Sequence, residues 1–89
     1  MNIIFDLETD GLLPDVSKIH CLAMTVEGAQ ASQVFANEYQ YDNLEEALKL
    51  MSEAEGLVGH NILGYDLPVL KKLLGWTPHK DTKISDTLV

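Results

Sequence analysis

Asp6 and Glu8 stand two residues apart in "IIFDLETDGL", residues 3–12, a run otherwise dominated by Ile, Phe and Leu that reads as a buried strand. Side chains of a strand alternate between its faces, so this spacing puts both carboxylates on one face. Held that close they repel, and the pKa of one rises unless a cation lies between them. A charge among apolar side chains is costly unless something pairs with it, and no Lys or Arg precedes Lys18. Either the strand end reaches water, leaving two solvated acids, or a cation comes from outside the protein. Oxygen-rich pairs of this kind suit Mg²⁺ or Mn²⁺. The D-x-E pattern alone is too short to decide.

A third acid, Asp66, stands in "VGHNILGYDLPVL", residues 58–70. A short apolar strand leads through Gly59, His60 and Asn61 to a turn, and Asp66 opens a helix. It reads as an ordinary N-cap, worth about 1 kcal/mol. That role is compatible with a second one: a carboxylate beside the end of the first strand could complete a metal site. In two-metal sites the ions lie roughly 3.5–4 Å apart and carboxylates bridge them. His60 reads as a hydrogen-bonded polar residue of the core rather than a ligand. His20 and His79 have no partner at metal spacing, and Trp76 reads as packing that closes a helix end.

These residues need a frame. Asn2 to Leu7 reads as the first strand, Ile19 to Val26 as the second and Gln30 to Ala36 as the third. Asp10-Gly11, Pro14-Asp15 and Glu27-Gly28 mark turns, so the three strands form an antiparallel meander. Asn43 followed by Glu46 resembles a capping box. Leu44, Ala47, Leu48 and Met51 then share a helical face. "GLVG" is a short strand, residues 56–59. A second helix runs from near Asp66 to Gly75, with Pro68 in its first turn and Gly75 just past its end. "KIS" predicts a further strand, and Asp86-Thr87 a cap for another helix. The order is α/β: meander, helix, strand, helix, strand.

The 89 residues allow one small domain, and 46% hydrophobic content lets it bury a core. Fourteen Asp and Glu against six Lys and Arg, a formal charge of -8, argue against a broad basic surface for grasping phosphates. A small site where metal ions neutralise the acids stays open. The single cysteine, Cys21 in "IHCLAM", leaves no internal disulfide and reads as a buried, inert thiol. No charged-then-apolar leader and no apolar run of about 18 residues is present, so a cytoplasmic protein with no membrane partner is expected.

Together, "FDLETDGL" and "GHNILGYDLPVL" resemble the first two motifs of the DEDD 3′-5′ exonucleases, proofreading domains with a ribonuclease H-like fold. "SKIHCLAM" and "DTLV" add a likeness to the N-terminal exonuclease domain of podophage family A DNA polymerases. The resemblance covers nearly the whole chain, in order and spacing. It implies an α/β ribonuclease H-like exonuclease fold, a mixed sheet whose antiparallel meander is followed by helix, strand and helix. It also implies that Asp6, Glu8 and Asp66 are catalytic ligands of two Mg²⁺ or Mn²⁺ ions. Thr9, Leu12 and Asn61 would touch the substrate, a single-stranded DNA 3′ end, with Leu12 or Leu13 as a wedge against the last bases. Leucines that merely pack a turn are the other reading.

The family also uses a fourth acid, and a Tyr or His a few residues before it, from a third motif. Tyr39, Tyr41 and Asp42 precede the second motif and cannot replace it. The resemblance therefore implies that residues 1–89 are a partial, C-terminally incomplete exonuclease domain, inactive alone or completed by its missing part or by a polymerase chain. An open apolar sheet face and strand edge would favour self-association or a partner. Other functions remain: an acidic, non-catalytic docking module derived from this fold, or an exonuclease acting on RNA. A phage-encoded chain would work in the host cell cytoplasm.

Overall fold

The computed structural model describes residues 1–29, 31–36 and 43–88. Strand β1 spans Asn2–Thr9, β2 Ile19–Val26, β3 Gln33–Phe35, β4 Gly56–Gly59 and β5 Lys83–Asp86; helix α1 spans Leu44–Glu53 and α2 Leu67–Leu74. The strands form one sheet in the order β3-β2-β1-β4-β5. β1 pairs antiparallel with β2 and parallel with β4; β2 and β3 are antiparallel, and β4 and β5 parallel. This is the α/β ribonuclease H-like arrangement expected from the sequence, with a five-stranded mixed sheet and two helices.

β1 is central because its residues alternate. Ile3, Phe5 and Leu7 are buried, and they meet Leu22, Met24, Phe35 and Leu57 from neighbouring strands. Leu44, Ala47 and Met51 of α1 and Val69 and Leu70 of α2 close the same core. The opposite face carries Ile4, Asp6 and Glu8, all exposed. The molecule measures 32 × 32 × 20 Å, and its short dimension matches one sheet plus one helical layer at about 10 Å each. The buried-strand reading of residues 3–12 is therefore half right: one face is core and the other is open.

Local chemistry sets the helix ends. Asn43 Oδ1 accepts the Glu46 N–H at 3.0 Å, capping α1. Gly75, at φ 66°, sends its N–H back to the Lys71 carbonyl at 3.1 Å and ends α2. Trp76 packs against the core and donates its ring N–H to Ser52 Oγ at 2.9 Å.

Several expectations need correction. β1 runs on to Thr9, beyond Leu7. β3 is only Gln33–Phe35, shorter than the expected Gln30–Ala36, and Gln30 lies outside the described residues. So do Tyr39, Tyr41 and Asp42. His60 is exposed rather than a core residue, with Nδ1 3.1 Å from Thr87 Oγ1. Cys21 is half-buried, because it faces the open side of the sheet opposite Glu8. Asp66 does not cap α2 through its side chain. Its backbone is already helical, at the end of a π-helical turn, Ile62–Asp66, that precedes α2.

Candidate functional site

The site begins where β4 is too short. β1 pairs with β4 only from Asn2 to Ile4, so beyond Ile4 that edge of β1 has no strand partner. β4 ends at Gly59, where a side chain would not fit: a Cβ would lie 2.3 Å from Ile62 Cγ2 and 3.0 Å from the Phe5 carbonyl oxygen. Asn61 then adopts a left-handed conformation, φ 56° and ψ 32°. The π-helical turn follows and carries Asp66 back to β1.

There the Asp66 carboxylate stands in for the absent strand. Its Oδ2 accepts the Leu7 N–H at 3.1 Å, and the residue is 4% exposed. Leu7 separates Asp6 from Glu8, so this bond fixes the third acid beside the segment that bears the other two. Burial pushes the Asp66 carboxyl up from its ordinary 3.8 to about 6; the Leu7 bond opposes this and the charge of Asp6 adds to it. The cost of burying a charge thus falls on Asp66, not on Asp6 and Glu8, which reach water.

Asp6 lies opposite Ala23 and Glu8 opposite Cys21, so small side chains leave room around both carboxylates. Among the described residues the ion pairs are Met1–Glu55 and His79–Asp81, and no cation side chain meets the three acids. Nor do three His, Cys, Asp or Glu side chains among the described residues converge as a ready metal cage. The donor chemistry nonetheless fits a hard divalent ion: all-oxygen ligands, one of them buried with its charge uncompensated.

The other expected site residues fall on two segments. The first is the loop after β1. The register slips between Glu8 and Thr9, leaving His20 as an extra residue on β2; such bulges re-aim neighbouring side chains. Thr9 Oγ1 bonds the Tyr65 hydroxyl, which also donates to the Gly11 carbonyl. Asp10 accepts the N–H groups of Ser17 at 2.9 Å and Lys18 at 3.1 Å and also the Ser17 hydroxyl. These bonds, the Ser17 hydroxyl first, hold the Asp10 carboxyl down at about 2. Lys72 Nζ reaches the carbonyls of Leu13 and Pro14, each at 3.1 Å. The braced loop leaves Leu12 76% exposed while Leu13 packs against the core. Leu12 is thus the only one of the two placed to project outward.

Asn61 lies on the second segment, the turn that delivers Asp66. The Asp86 carboxylate reaches this turn and accepts the Asn61 N–H at 2.8 Å. Tyr65, Lys72, Asp10 and Asp86 had no legible role in the sequence beyond turns and caps. Their partners lie 7 to 59 residues away along the chain, and no local pattern encodes such bonds.

A family model for the RNase_H superfamily matches residues 3–88, almost the whole chain. The chain belongs to the RNase H superfamily. Members of this superfamily are commonly nucleases, and those nucleases generally use divalent metals. Among solved structures, the RNase H-like chain is similar to the family B DNA polymerase from the hyperthermophilic archaeon Pyrobaculum calidifontis, at TM-score 0.61 and 21% identity. That match covers 93% of this chain and 12% of the polymerase chain, so the likeness is one of fold to a small part of a larger protein. No curated protein sequence matches the chain. Among the described residues no helix is long and apolar enough to cross a membrane.

Proposed function

We propose that this RNase H-like domain is the metal-binding part of a DEDD-type 3′-5′ exonuclease, the proofreading unit of a DNA polymerase. Its substrate would be a single-stranded DNA 3′ end. The observation that carries the reading is the bond from Leu7 N–H to the buried Asp66 carboxylate. It sets three acids from two separate segments at one end of the parallel strands. Ligand sites of open α/β sheets favour that end.

In this reading Asp6, Glu8 and Asp66 hold Mg²⁺ or Mn²⁺. Bound ions would supply Lewis acidity, a water of lowered pKa and charge stabilisation on the phosphate. The strand mount keeps Asp6 and Glu8 fixed, and the open face gives a phosphodiester access to them. Leu12, projecting from its braced loop, would press on the terminal bases, with Thr9 and Asn61 lining the approach. The net charge of -8 repels DNA until cations neutralise this edge. The motif resemblance to podophage family A polymerases and the fold likeness to one part of a family B polymerase support a polymerase context. That context would supply the fourth acid and the water-orienting Tyr or His.

The test is Mn²⁺ titration of the protein and its Asp6→Ala variant, followed by trimming of a 5′-labelled single-stranded oligonucleotide. The expected result is Mn²⁺ binding lost in the variant, and any metal-dependent trimming lost with it. Equal Mn²⁺ binding by both proteins, or trimming that survives Asp6→Ala, overturns the reading.

A further inference from the structure

Asp86 lies outside the three acids of the candidate centre, yet it holds the segment that positions one of them. It ends β5 and sits beside Gly59, the last residue of β4. Its carboxylate reaches across the end of β4. Oδ1 accepts the Asn61 N–H at 2.8 Å, and Oδ2 accepts the Leu63 N–H at 2.9 Å. Oδ1 also accepts the Leu88 N–H at 2.9 Å. That last bond is the local cap the sequence suggests; the other two point backward, to a turn more than twenty residues earlier.

The clasped turn needs holding. Asn61 is the one non-glycine residue at positive φ among the described residues, a conformation that persists only where the surroundings fix it. Gly64 is equally constrained, since a Cβ there would lie 2.6 Å from Asn61 Oδ1. From Asn61 the bonds run on: the Tyr65 N–H donates to the Asn61 carbonyl at 2.9 Å, and the Leu67 N–H to the Ile62 carbonyl. The next side chain is Asp66, bonded to Leu7. A continuous series of hydrogen bonds therefore joins the end of β5 to the middle of β1.

We propose that Asp86 is a positioning residue for the candidate centre: by clasping the Asn61–Leu63 backbone it sets where Asp66 meets β1, without itself holding an ion. The inference rests on the reading of Asp66 as a metal ligand. A carboxylate suits the task because its two oxygens can serve two backbone donors at once, with charge-assisted bonds.

Amide NMR of the protein and its Asp86→Asn and Asp86→Ala variants tests this without relying on nuclease activity. The Leu7 amide is the reporter, and the amides of Leu22 and Leu57 report overall stability. In Asp86→Ala the Leu7 amide proton should move upfield and exchange about tenfold faster relative to Leu22 and Leu57. Asp86→Asn keeps the volume and one acceptor, so it should give a smaller change in the same direction. Mn²⁺ affinity should fall in the same order. An unmoved Leu7 amide, with only Asn61 and Leu63 losing protection, overturns the proposal. Loss of all protection in both variants also overturns it, making Asp86 a folding residue. If the unsubstituted protein binds no Mn²⁺ at all, the metal reading fails instead, while the Leu7 response still decides whether β5 positions Asp66.

Discussion

Asp66 carries an energetic cost that Asp6 and Glu8 do not, and its sign can be worked out. Its folded-state pKa of about 6 lies above the ordinary 3.8. Between those values the folded protein keeps a proton that the unfolded chain has released. Metal-free stability therefore falls as pH rises through this window and stays lowered above it. Asp66→Asn removes the charge but keeps an acceptor for the Leu7 N–H. In the presence of a chelator the variant should be more stable than the parent at pH 7, by about 1–2 kcal/mol. The two should converge at about pH 4, where the parent carboxyl is neutral as well. Melting temperatures at both pH values check this; a less stable variant at pH 7 would mean that the Leu7 bond outweighs the desolvation. Asp10 behaves in the opposite sense. Its pKa is held down at about 2 by Ser17 and Lys18, so its contribution is present above the ordinary carboxylate value and is lost as pH falls through about 2.

At the scale of elements, the end of β4 and the turn after it are the most tightly specified segment. Gly59→Ala would drive a methyl into Ile62 and the Phe5 carbonyl, and the latter cannot give way without moving β1. A loss of roughly 2–4 kcal/mol is expected in denaturant unfolding. Asn43→Ala should cost less, about 1 kcal/mol, because it removes one cap from an exposed helix end. The contrast between the two positions also explains what the sequence revealed. Asn43, Gly75 and the apolar spacing of α1 act within a few residues, so their roles are written locally. The strand order followed from a meander and two helix-linked parallel strands, again a matter of neighbours. Asp66 looked like a helix cap because Asp before Leu-Pro commonly is one. Its actual partner, Leu7, is 59 residues away, and only the assembled sheet brings them together. His60 was misjudged for a related reason. It stands just past the point where β4 ends, and nothing in "VGHNIL" shows that the chain leaves the core there.

At the scale of the whole molecule, putting both helices on one face of the sheet exposes the other, and this answers the puzzle posed by Asp6 and Glu8. They need no buried counter-charge, because their face is open to water and to ligands. The same one-sided packing leaves Ile4 44% exposed between them and the start of β1. What the arrangement lacks is positive charge: the formal charge of the chain is -8, and three acids are drawn to one end of the sheet. Two kinds of cation effect should then be separable. Added NaCl screens the overall repulsion, so it should raise the melting temperature of the parent and of Asp6→Ala alike. Mn²⁺ should act through the centre. At about 100 times its Kd, binding adds roughly 2.7 kcal/mol, or about 10–20 °C for a domain of this size, in the parent alone. A thermal shift series with both salts makes the distinction at matched ionic strength. If Mn²⁺ raises both proteins equally, the acids are only a diffuse negative patch, and the open face has to be explained by some other ligand.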